Sequence, residues 1–166
     1  MSCQIAQETK DYDLETKSTL PIEAASDLGL QNFLEKATIE LKRAERYRVF
    51  VSLVVFDLEA ICQKAELSVL DLCQDLYQIV RQNARACDHV TLVDESSLTI
   101  LFPETPRQGA ETAGKRLGEL ISQHIASKSG QSTGELISLE MASYPDAAGA
   151  KTLSEYLHDM ALRHRN

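Results

Sequence analysis

Asp88–Thr105 reads DHVTLVDESSLTILFPET, two short runs of strand-forming residues around a polar tip. The first arm is His89 to Val93. The second, Ser97 to Phe102, alternates, with Leu98, Ile100 and Phe102 on one face. A period of two on both sides of a polar turn predicts a β-hairpin. Its tip holds Asp94, Glu95 and Ser96. Two acidic residues there admit two readings, metal ligands or a solvated turn, and the choice largely decides whether the chain is an enzyme.

Upstream, VFVSLVVFDL is almost continuously apolar from Val49 to Phe56, which predicts a central strand covered on both faces, with Asp57 delivered to its C-terminal edge. Before it, Leu30, Phe33, Ala37, Leu41 and Ala44 recur at spacings of three and four, an amphipathic helix with Asp27 as its N-cap. After it comes a helix carrying Val69 or Leu70, Cys73, Leu76 and Val80, finishing near Arg85. Beyond the hairpin a third helix turns Ala110, Ala113, Leu117, Leu120 or Ile121, and Ile125 inward. SKSGQSTG is a loop by composition, ELISLEMASY a strand, and a closing helix carries Leu153, Tyr156 or Leu157, and Met160. The expected fold class is α+β. It has a ferredoxin-like, palm-type βαββαβ core, an antiparallel central sheet flanked by helices, and extra helices at both ends. Residues 1–26 are polar and acidic and read as a flexible tail; residues 27–166 form the domain.

The 166 residues suffice for one core without disulfides or a structural metal, and the formal charge of −8 argues against nucleic acid or a membrane surface as partner. It leaves room for one local basic pocket. Cys3, Cys62, Cys73 and Cys87 form no CxxC pair, and the last three lie in or near apolar stretches, so buried reduced thiols are expected. His89, His124, His158 and His164 are scattered and read as surface or helix-end residues. No apolar run is long enough to span a bilayer, and the N-terminus lacks the basic start and apolar core of a secretory signal; a cytoplasmic location is the simplest expectation.

ELKRAERYRVFVSLVVFDLEAI resembles the opening of a GGDEF domain, the diguanylate cyclase family, where a helix with an Arg-rich end precedes an apolar strand that finishes in an acidic residue. ISLEMASYPD resembles that family's late strand, with Ser138, Ala142, Tyr144 and Pro145 matching and Glu140 in place of a glycine. RACDHV and LFPET resemble its hairpin region. By the family's spacing from Asp88 and to Pro103, the Gly-Gly-Asp/Glu-Glu-Phe positions fall on Asp94, Glu95, Ser96, Ser97 and Leu98. A slipped alignment that makes Asp94 and Glu95 the acidic pair breaks the spacing to Pro103 and takes Leu98 off the apolar face, where register is strongly specified.

The resemblance implies a site that has lost its chemistry. Cyclases of the family join two GTP molecules with two metal ions held by carboxylates of the first strand and the hairpin. Asp57 matches the strand ligand and is read as its relic. The acidic hairpin positions are Ser96 and Ser97, whose hydroxyls cannot hold two divalent cations against triphosphate charge. Asp94 and Glu95 replace the glycines that let a nucleotide approach. AICQKAELSVL lacks the family's guanine-reading residues, and the late lysine position is Asn166. The expectation is no catalysis, no metal and no cofactor.

The family's second site binds the product, cyclic di-GMP, through Arg-x-x-Asp. Arg85-Ala-Cys-Asp88 stands at that position and is the only Arg-x-x-Asp in the chain; a further family arginine falls on Arg116. A guanidinium can bind phosphate as a fork or stack on guanine, and a carboxylate can accept from guanine N–H donors. Against this stands a bland reading: Arg85 as a cation at a helix C-terminus, Asp88 as its partner or a turn cap, Arg116 as a solvated helix residue. The resemblance thus implies a cyclic di-GMP receptor that regulates self-association or a protein partner. The alternative is a ligand-independent scaffold or adaptor.

Overall fold

The computed structural model describes residues 22–65, 68–94, 96–130, 137–145 and 151–163. The elements run α1 (Ile22–Tyr47), β1 (Val51–Asp57), α2 (Glu59–Ala65), α3 (Val69–Asn83), β2 (His89–Leu92), β3 (Ser97–Pro103), α4 (Arg107–Ser129), β4 (Ser138–Tyr144) and α5 (Leu153–Arg163). The four strands form one sheet in the order β2-β3-β1-β4, antiparallel at every pairing. This is the expected α+β architecture: an antiparallel sheet between helices, with a helix added at each end.

Strand alternation divides the sheet into two apolar faces. Val54 and Phe56 of β1, with Leu98, Ile100 and Phe102 of β3, pack against α3 and α4 through Leu76, Val80, Leu117 and Ile121. Val51 and Leu53, with Leu101 and Ala142, face α1 and α5 through Leu30, Phe33, Ala37, Leu153 and Leu157. Each fully buried side chain of this size contributes ~1.5–3 kcal/mol by leaving water. β1 is central, as the unbroken apolar run predicts, and Leu98 is fully buried, as the chosen hairpin register requires.

Several expectations change. Helix α1 begins at Ile22, so Asp27 lies inside it and is not its cap, and Ile22–Ser26 belong to the helix and not to the polar tail. Ala24 and Ala25, the best helix formers, carry the helix past a residue that could have stopped it. The connection after β1 contains a short helix, α2, that composition did not reveal. Helix α3 ends at Asn83, two residues before Arg85, and α4 runs through Ser127–Ser129 before Gly130 closes it at φ 69. Within α4 it is Gly114 that is buried, with Ile121 and not Leu120, while Ala113 is only partly covered. Leu157, not Tyr156, fills the inward position of α5. The Val69 or Leu70 alternative lies outside the described side chains, as do Cys3, Cys62, Glu95, His164 and Asn166. Cys87 is exposed, against the expectation of a buried thiol, and lies in the turn that follows α3; Cys73 is buried. His89 and His124 are partly buried, one within β2 and the other within α4 beside Asp75.

Candidate functional site

The end of β1 and the tip of the hairpin meet at one edge of the sheet. Asp57 is the register partner of Ser97 across the β1–β3 ladder, and the Leu58 N–H donates to the Ser96 carbonyl at 2.8 Å. The Asp57 carboxylate is exposed, and its Oδ1 accepts the Glu59 N–H at 2.9 Å, a side-chain turn that starts α2. Asp94 does the same at the hairpin tip: its Oδ1 accepts from the Ser96 N–H at 2.8 Å and from the Ser96 hydroxyl at 3.4 Å. Val93 N–H closes the hairpin onto the Ser97 carbonyl at 2.9 Å. Asp94 and Ser97 also line a cavity of about 70 Å³ between the sheet and α5, together with Thr99, whose buried hydroxyl has no hydrogen-bond partner among the described residues.

These donors do not fit a pair of divalent cations. Such ions take six or more oxygen ligands and need carboxylate charge to hold them. Here the Asp57 and Asp94 carboxylates are each already engaged with a backbone N–H, and the residue opposite Asp57 is a neutral serine. Among the described residues no group of three or more His, Cys, Asp or Glu is placed to hold a metal ion.

The second candidate lies where α3 ends and the chain turns into β2. Ala84 is extended and closes α3 through its N–H to the Val80 carbonyl. The turn Arg85–Asp88 is stapled twice: the Asp88 N–H donates to the Arg85 carbonyl at 3.0 Å, and the Arg85 N–H donates to Asp88 Oδ2 at 2.7 Å. Arg85 Nη2 stands 3.3 Å from Asp88 Oδ1 and donates to the Thr105 hydroxyl at 2.6 Å. Asp88 is 3% exposed, whereas the Arg85 side chain is 56% exposed. The carboxylate is therefore an interior anchor and the guanidinium is the outward-facing group.

Arg116 reaches the same place from α4, its Nη2 donating to the Asn83 carbonyl at 3.1 Å. That carbonyl belongs to the last residue of α3, where unpaired backbone acceptors attract cations. The structure thus brings Arg85, Asp88 and Arg116 to one helix end. It keeps them apart from Asp57 and the tip residues Asp94, Ser96 and Ser97, which lie at the edge where β1 ends.

Sequence reasoning missed Thr105. Its side chain is buried, its hydroxyl donates to the Pro103 carbonyl at 2.8 Å, and its own carbonyl accepts from the Ser52 hydroxyl at 2.7 Å. A threonine just ahead of a helix reads as an N-cap, but Pro106 holds that place in α4 and no side chain caps it.

Solved structures similar to this fold include GGDEF domains. The FimX GGDEF domain of Pseudomonas aeruginosa aligns at a TM-score of 0.59 and 21% identity, over 80% of this chain and 83% of that one. The active GGEEF domain of a diguanylate cyclase from Vibrio cholerae aligns at 0.53 and 16%, over 75% and 80%. PelD 156–455 of Pseudomonas aeruginosa PA14, in its apo form, aligns at 0.54 and 17%, over 81% of this chain but 46% of that one. No protein-family model matches the chain, and no curated protein matches it. The chain has the palm-like α+β fold of GGDEF domains.

Proposed function

We propose that this chain is a non-catalytic GGDEF-like domain that binds cyclic di-GMP at Arg85, Asp88 and Arg116, and whose ligation shifts its association with itself or with a protein partner. The observation that carries the reading is the convergence of two arginines, from the α3–β2 turn and from α4, on the end of α3. Arg85 offers an exposed planar cation to a phosphate or a guanine face, and Arg116 supplies a second positive charge for a ligand with two phosphates. Asp88 takes part in the site by setting the Arg85 turn, which holds the guanidinium outward. The hairpin supports the absence of catalysis, because Ser97 stands where a metal-binding carboxylate would face Asp57. The mechanism is a population shift between assemblies. Titration of the purified chain with cyclic di-GMP tests the reading. Binding in the micromolar range or tighter that Arg85→Ala removes supports it, and no uptake by folded protein refutes it.

A second reading, a ligand-independent scaffold, is favoured by one observation: both Asp88 oxygens are already engaged with Arg85 in the interior. It predicts that partner association is indifferent to cyclic di-GMP and to Arg85→Ala.

A further inference from the structure

Arg85 is the outward-facing group of the candidate site, and a long side chain on a turn ordinarily loses rotamer freedom when it grips a ligand. Here that freedom is already restricted. Arg85 Nη2 donates to Thr105 Oγ1 at 2.6 Å and stands 3.3 Å from Asp88 Oδ1, so a hydrogen bond from one segment and an ion pair from another restrain the same nitrogen. Thr105 is well placed to act as the fixed acceptor. Its hydroxyl donates to the Pro103 carbonyl at 2.8 Å, which aims its lone pairs at Arg85. Its side chain is buried, which restricts the rotamers open to it. Its carbonyl is tied to the Ser52 hydroxyl at 2.7 Å, and Ser52 is tied to Ser143 at 2.8 Å, which joins the turn to β1 and β4.

We propose that Thr105 is the positioning residue of the site: its hydroxyl holds the Arg85 guanidinium by one nitrogen in the orientation that receives ligand. The assignment rests on the reading of Arg85 as a ligand contact. It carries a consequence for the mode of recognition. Both two-nitrogen edges of a guanidinium fork include Nη2, and one of its two N–H groups is given to Thr105, so Arg85 presents its plane and the edge that remains. The ligand chemistry that suits this is a planar purine stacked on the guanidinium or a phosphate met through that one edge.

The test reads Arg85 with and without ligand in wild type, Thr105→Val and Thr105→Ser. In the free protein, ¹⁵N NMR of the guanidinium is expected to show slow rotation in wild type, fast rotation in Thr105→Val, and recovery in Thr105→Ser, which restores the hydroxyl. Titration with cyclic di-GMP is expected to show binding about three- to tenfold weaker in Thr105→Val, the cost of immobilising one rotamer-rich side chain, and near wild-type binding in Thr105→Ser. Should Thr105→Val not fold, Thr105→Ala against Thr105→Ser carries the same comparison. Equal guanidinium mobility in wild type and Thr105→Val, or equal affinity, overturns the positioning role. A wild type that holds Arg85 rigid yet takes up no cyclic di-GMP overturns instead the receptor reading on which it rests, and leaves Thr105 a structural brace.

Discussion

Asp57 and Ser97 face each other across the central strand pair, a carboxylate opposite a hydroxyl at the edge where β1 ends and the hairpin turns. Metal-dependent joining of two nucleotides needs carboxylates on both sides of that gap to offset phosphate charge. The expected outcome of incubating the chain with GTP and magnesium, followed by chromatography, is unchanged GTP. A cyclic dinucleotide product would contradict the assignment of the hairpin positions to Ser96 and Ser97.

Asp88 is expected to be a stability residue as well as a site residue. Asp88→Ala strips the Arg85 N–H of its acceptor and removes the ion pair at a buried position. A cost of about 1–3 kcal/mol is expected in urea denaturation, with Asp88→Asn less costly because an oxygen acceptor remains. Equal stability of Asp88→Ala and wild type would show that the turn is held by other means.

Two glycines of α4 separate close packing from open helix surface. A Cβ at Gly114 would stand 3.1 Å from Leu139 Cδ1 and 3.5 Å from Val54 Cγ1, so Gly114→Val overfills the seam between α4 and the sheet. A loss of about 1–3 kcal/mol is expected. A Cβ at Gly118 meets only Phe56 Cε1, at 3.5 Å, an ordinary contact. Gly118→Ala is expected to gain about 0.5–1 kcal/mol from helix propensity. Thermal melts of the two variants check the contrast, and the reverse order would contradict the packing.

His89 gives the fold a pH dependence in the mildly acidic range. Burial in β2 lowers its pKa below the ordinary histidine value, and Lys36 of α1 adds to the effect, against the opposing charges of Glu40 and Asp88. The unfolded chain therefore takes up this proton first as pH falls. The contribution is intact above the unfolded pKa of about 6.5 and is lost as pH falls through the depressed folded value. His89→Gln is expected to flatten the fall of Tm between neutral pH and mildly acid conditions; an unchanged slope would show that another group titrates there.

The fold was legible because its determinants are local. The apolar run of β1 can only be central, and Leu98, Ile100 and Phe102 fix the hairpin register through a period of two. The motif positions at the hairpin tip were an implication of the family resemblance, by its spacing from Asp88 and to Pro103. What sequence did not disclose depends on contacts across the fold. Helix α2 is a seven-residue helix begun at the Asp57 side chain, too brief for a periodic signal. Gly114 is buried because the backbone of α4 comes close to Val54, which no helical pattern of apolar residues encodes. The role of Thr105 needs Arg85, twenty residues away, to arrive at its hydroxyl. The family resemblance named Asp88 and Arg116 as candidates, but that one is interior and the other is bound to the Asn83 carbonyl follows only from the geometry.

The most direct test of the account is calorimetric titration of cyclic di-GMP into wild type, Arg85→Ala, Arg116→Ala and the double variant, each first shown to be folded. Two arginines that hold one ligand are expected to weaken binding by about tenfold or more each, and their losses are expected to be non-additive because they share a partner. No heat from wild type at high ligand concentration, or full affinity in the double variant, would contradict the central claim that these two arginines form a cyclic di-GMP site.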